Sequence, residues 1–260
     1  MDDDRFIAGI HNYCDRWCER CPLTARCRVY ALEEEAHSAD ETNRDLTNAE
    51  FWEGLRDILR QTQQMIEQYA REQGIDLNAV EAEAVKNQRA QRRARAKASP
   101  LVRSAEHYIT LVDRWFRAEA GAFEERANDL NTLIQLGLDK LHPEAEAAAI
   151  TDALEVIRWY QYPIAVKLTR AVRGGEDFGD PDLAAHRQAD ADGSAKVALI
   201  AIDRSLAAWG RLREYFPDVG DSILDLLVHL DRLRRAVEKE YPNARAFVRP
   251  GFDTGDLPAS

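Results

Sequence analysis

Long apolar runs are missing from this 260-residue chain: the longest candidates, such as the stretch from Val197 to Ile202, fall far short of a bilayer's width. The first residues, Met1-Asp2-Asp3-Asp4, are acidic where a secretory leader would be basic and then apolar. Together these features point to a cytoplasmic protein with no membrane association. Strand-like alternation bounded by turn residues is missing too, as are Walker and dinucleotide glycine motifs, a Ser/His/Asp order and any fixed-period repeat. No general affinity for nucleic acid or anionic lipid is expected either, because the net charge is −11.

Amphipathic helices dominate what is present. Apolar residues recur with a period near 3.6 over Asn48 to Gln73, where Phe51, Leu55, Ile58, Leu59, Met65, Ile66 and Tyr69 share a face. Thr47 with Glu50 forms a capping-box pattern at its start, and Gly74 suits its end. A second stripe runs unbroken from Pro100 to Leu136. A third runs from Pro143 to Arg173 with an internal Pro163 that predicts a kink. The acidic stretch from Gly174 to Gly193 reads as a loop, and two further helices are expected over Ser194–Tyr215 and Val219–Lys239. The fold class is therefore all-α: a helical bundle of five to seven helices. Its domain plan is a cysteine-rich N-terminal segment (1–40), the bundle (41–241) and an irregular tail (242–260).

Cysteine is scarce but concentrated. The only four, Cys14, Cys18, Cys21 and Cys27, fall within 14 consecutive positions with spacing C-x3-C-x2-C-x5-C. Disulfides that stabilise a secreted fold close longer loops, whereas clustered thiols in a reducing compartment point to metal ligation. Cys14, Cys18 and Cys21 stand at i, i+4 and i+7, a spacing that predicts three sulfurs on one helix face. Pro22 then turns the chain so that Cys27 can return as a fourth ligand. Arg16, Arg20, Arg26 and Arg28 could offset the thiolate charge, and Tyr13, Trp17 and Tyr30 could exclude water.

The run from Cys18 to Cys27, Cys-Glu-Arg-Cys-Pro-Leu-Thr-Ala-Arg-Cys, resembles the end of the [4Fe-4S] loop in helix-hairpin-helix DNA glycosylases. That family's last three ligands also follow C-x2-C-x5-C, often with proline after the middle one. The resemblance covers about 14 residues and implies a [4Fe-4S] cluster held by Cys14, Cys18, Cys21 and Cys27, without glycosylase activity. The first three cysteines also look like the radical-SAM signature. That reading is rejected, because Arg20 replaces the required aromatic residue and a fourth cysteine would fill the open iron position. Zinc is the alternative metal, although structural zinc sites usually separate two short ligand pairs by a dozen or more residues.

Three functions remain open on this reading. The first is an iron–sulfur protein serving electron transfer, redox sensing or assembly with a protein partner. The second is a zinc-stabilised scaffold that binds a protein or nucleic acid, the latter through Lys86 to Lys97, where six basic residues occur with no acidic one. The third is an enzyme with a site among the bundle's charged residues. Glu155, Arg158, Asp203 and Arg204 interrupt apolar faces and are expected to form an ion-pair network between neighbouring helices. Its catalytic residues are unknown. No two of the six histidines stand at metal-binding helical spacing, Glu34 and His37 form a single E-x2-H pair where a di-iron site needs two, and His229 borders the last apolar stripe.

Overall fold

A computed structural model describes residues 5–38, 49–72, 82–138, 141–174 and 181–254 of the chain. Among these residues all regular structure is helical, in eight α-helices and several short 3-10 turns. They are α1 (Arg28–Ser38), α2 (Ala49–Glu72), α3 (Ala82–Ala98), α4 (Pro100–Ala118), α5 (Ala120–Gln135), α6 (Pro143–Gly174), α7 (Pro181–Tyr215) and α8 (Gly220–Glu240). No described helix is long and apolar enough to cross a membrane.

The core lies between α4, α6, α7 and α8. On α6, Ile157, Ile164, Leu168 and Ala171 repeat along one face and are wholly buried. On α7 the facing surface mixes Ala191, Ala195, Ala198 and Ala201 with Leu199, Ile202, Trp209 and Leu212. The small residues let the two long helices approach closely, and the large ones fill the gaps toward α4 and α8. Ile223, Leu226, Leu230, Leu233 and Val237 supply the buried stripe of α8. A buried hydrogen bond of 2.8 Å from Trp209 Nε1 to the Tyr108 hydroxyl joins α7 to α4.

Several sequence expectations are corrected. The stripe from Pro100 to Leu136 is two helices, broken at Glu119. The break turns Phe123 back toward Trp115, whose ring centroid lies 5.6 Å away. Trp115 also packs on Trp209 at 4.8 Å and Phe123 on Phe216 at 4.7 Å, so an aromatic cluster overrides the continuous period. The expected acidic loop becomes helix from Pro181 onward, which lengthens α7 by more than three turns beyond the expected start at Ser194. Gly193, read as a breaker, instead sits inside α7 where other chain segments press against it. Leu59, Met65, Ile66 and Tyr69 of α2 are more than half exposed, so this part of the stripe stays outside the core. The expected caps at Thr47 and Gly74 and the acidic residues Glu176, Asp177 and Asp180 lie outside the described residues.

Candidate metal centre

The cysteine segment is not the single helix that its spacing predicts. It is a chain of 3-10 turns, Ile10–Tyr13, Cys18–Arg20 and Thr24–Arg26, separated by extended residues. Local chemistry explains the breaks. Gly9 is left-handed at φ 72, and Arg16 holds φ 61, a conformation costly for a residue with a side chain. Asp15 accepts a hydrogen bond from the Trp17 backbone N–H at 3.3 Å, a local bond that competes with a helical one. Pro22 follows Cys21 directly. Three sulfurs on one helix face is therefore the wrong geometry.

The turns nevertheless bring all four sulfur-bearing side chains together. Cys14, Cys18, Cys21 and Cys27 line one small cavity of about 30 Å³, walled also by Ile10, His11, Trp17, Tyr30 and Phe252. No cysteine is in a disulfide, and each is only partly exposed. Burial raises the Cys18 thiol above the usual range, and Cys14, Glu33, Cys21 and Cys27 push it the same way. Cys21 is raised chiefly by burial, opposed by a hydrogen bond from the Leu23 backbone and reinforced by Cys14, Asp15 and Cys27. The thiols thus feel one another's charge. Cys14 also donates a hydrogen bond to the His11 carbonyl at 3.4 Å. Among the described residues no three His, Cys, Asp or Glu side chains are grouped so as to hold a single metal ion.

A set of polar clamps fastens this segment to α6 and α7. The Tyr160 hydroxyl donates to Asp15 at 2.6 Å, and Arg204 reaches the same carboxylate oxygen at 2.6 Å while also contacting Tyr160. Burial first, then the bond to Asp15, holds the Tyr160 phenol well above its ordinary range. Arg20 spans Asp152 at 2.6 Å and Glu155 at 2.5 Å and lies over the Trp17 ring, which stacks on Trp159. Arg170 and Lys167 both donate to the Asn12 carbonyl, at 2.9 and 3.3 Å. Tyr13 donates to Asp190 at 3.0 Å, and Arg170 pairs with that carboxylate at 2.5 Å.

The tail closes the site from the other side. A Cβ added to Gly193 would collide with the Tyr13 ring and lie 2.8 Å from Phe247, so α7 is notched where the segments carrying these two rings cross it. Gly251, at φ 77, leaves room for Ile7, Ile10 and Leu23. Lys196 pairs with Asp253 at 2.7 Å, and Arg249 pairs with it at 3.0 Å. Burial works against ionisation of Asp253, but the bonds from Arg249 and Lys196 prevail and hold its carboxyl below the usual range.

The expected network among Glu155, Arg158, Asp203 and Arg204 is also corrected. Glu155 and Arg204 turn toward the cysteine segment instead. Asp203 pairs with Arg245 at 2.5 Å, and Arg158 lies over the Phe116 ring. Asp15, Tyr160 and Lys167 escaped the sequence reading because their partners are some 145 or more positions away. The one available signal was a lysine between Ile164 and Leu168 on a buried face. Burial holds the Lys167 ammonium below its usual range, opposed by the nearby Cys14 and Asp15. Beside the clamps, a groove of about 590 Å³ runs past Trp17, Cys21, Arg20, Arg204 and Arg211, so Cys21 faces both the small cavity and the open surface. Comparison with protein-family models, curated proteins and solved structures finds no match for this chain.

Proposed function

We propose that Cys14, Cys18, Cys21 and Cys27 together ligate one [4Fe-4S] cluster, and that the chain exchanges electrons with, or senses redox state for, a protein partner at the groove beside Cys21. The observation that carries this reading is the convergence of all four cysteine side chains on one cavity. The donor set fits, since four thiolates are the usual ligands of such a cluster.

When bound, the cluster supplies one-electron redox chemistry. The protein's own groups do the rest. Lys167 carries positive charge near Cys14, and Trp17, Tyr30 and Phe252 exclude water from the cavity wall. Four cysteine ligands leave no iron position open, so the reading is one of electron traffic, not hydrolysis. Cys21, shared by cavity and groove, is the ligand nearest a docked partner.

Anaerobic purification with metal and sulfide analysis tests the assignment. Iron and acid-labile sulfide in equal amounts are expected, with reversible one-electron reduction followed by electron paramagnetic resonance. A colourless protein carrying stoichiometric zinc, or a Cys18→Ser variant with full metal content, contradicts it. A cluster that cannot be reduced and reoxidised without unfolding removes the redox role and leaves a structural fastener.

A further inference from the structure

Helix α3 concentrates positive charge, with Lys86, Arg89, Arg92, Arg93, Arg95 and Lys97 inside twelve residues. Lys86, Arg89, Arg93, Arg95 and Lys97 are exposed, and none pairs with an acidic side chain among the described residues. Elsewhere Arg20, Arg126, Arg170, Arg204, Arg245 and Arg249 are each held by a carboxylate. The chain as a whole is at −11, so this face is a local inversion of its field rather than a general property of the surface. From Lys86 to Lys97 the helix axis rises about 16 Å, enough to follow several consecutive phosphates of one strand.

A groove of about 660 Å³ adjoins this face where α3 meets α4, α6 and α7. Arg92, Arg170, Arg173 and Arg187 line it, with Tyr162 and Val166 on its floor. Tyr162 is 53% exposed and Val166 is 64% exposed, an aromatic ring and an apolar step open to solvent between guanidinium groups. Glu106 and Asp190 also line the groove, but Asp190 is already engaged by Arg170 and Tyr13. Cationic side chains that track a backbone, beside an exposed ring on which a base can stack, are the two parts that single-strand recognition requires. An acidic protein surface would use the charges but has no need of the open ring. Anionic lipid would require apolar groups projecting from the same helix face, where α3 carries alanines.

We propose that α3 and the adjoining groove form a binding surface for single-stranded nucleic acid, with phosphates along Arg89 and Arg93 and a base stacked on Tyr162. This surface lies outside the cysteine cavity, although Arg170 and Asp190 line the groove and also hold the Asn12–Tyr13 turn.

Fluorescence anisotropy of the full chain with a labelled single-stranded oligonucleotide of mixed sequence, titrated across a salt series, tests this. Affinity should fall linearly with salt on logarithmic axes. A paired Arg89→Gln and Arg93→Gln substitution should shallow that slope by about 1.4. Tyr162→Ala should weaken binding by about 5- to 150-fold at fixed salt and leave the slope unchanged, while Tyr162→Phe retains affinity. Circular dichroism confirms that each variant is folded. Absence of saturable binding at low salt, a slope unmoved by the double substitution, or a Tyr162→Ala variant that matches the parent overturns the proposal. A duplex of the same length that binds as tightly overturns the single-strand assignment.

Discussion

In the bundle, Ile157, Ile164, Leu168, Ile202 and Leu230 are wholly buried among other apolar groups, and their order follows from helical period. In residues 5–27 only Ile10 and Leu23 are buried, and the remainder is fastened by Asp15, Arg20, Tyr13 and the Asn12 carbonyl to side chains far along the chain. One region is held by non-directional apolar burial. The other is held by directed bonds, of which the exposed pairs at Arg20 contribute little each. A segment of that kind needs a further fastener, and four thiols around a shared cavity are positioned to provide one. The bundle should therefore survive changes that release the segment, while damage to the bundle reaches everything.

The largest expected effect is in the bundle. Ile202→Ala deletes apolar volume at the α6–α7 contact and should cost about 2–5 kcal/mol in urea-induced unfolding. Under the proposed cluster, iron per folded molecule should be unchanged. Iron loss in proportion to the stability lost would mean that the two regions unfold as one.

Gly193→Ala attacks the junction. The new methyl meets the rings of Tyr13 and Phe247, and displacing them should cost about 1–3 kcal/mol. Hydrogen exchange should accelerate for amides of residues 5–27 and 244–254, while α6 and α8 keep their protection. Uniform acceleration across α8 would erase the distinction between the regions.

The smallest effect concerns His229, whose Nε2 lies 2.9 Å from the Ser104 carbonyl. Burial lowers its pKa, aided by His107 and Arg232 and opposed by the Ser104 bond. The folded state therefore favours the neutral ring. Its contribution is complete above about pH 6.5 and is lost as pH falls from there through the lowered folded value. Urea midpoints should drop across that window in the parent and drop less in His229→Gln. Equal pH dependence in both would show that other groups govern it.

Periodicity made α6 and α8 legible almost to the residue, because their buried stripes are regular and their ends carry Pro143, Gly174 and Gly220. It misread the α4–α5 boundary and the start of α7. There the deciding contacts are the aromatic cluster around Trp115 and the passage of Tyr13 over Gly193, both of which depend on distant partners. At the cysteines, spacing singled out four residues that line one cavity but not the backbone that places them there. Arg16 at φ 61 and the Asp15 side-chain bond replaced the expected helix. Asp15, Tyr160 and Lys167 are ordinary residues in sequence whose roles arise only from the tertiary fold.

The packing of Gly251 against Ile7, Ile10 and Leu23 has a consequence for biosynthesis. The cysteines leave the ribosome well before α6, α7 and the segment around Gly251 that seat them. At about 5–20 residues per second the thiols wait roughly 10–40 s before their walls exist. A nascent chain thus presents four unshielded sulfurs early in synthesis. Metal delivery by a donor that captures the emerging segment would yield a different maturation order from loading after release.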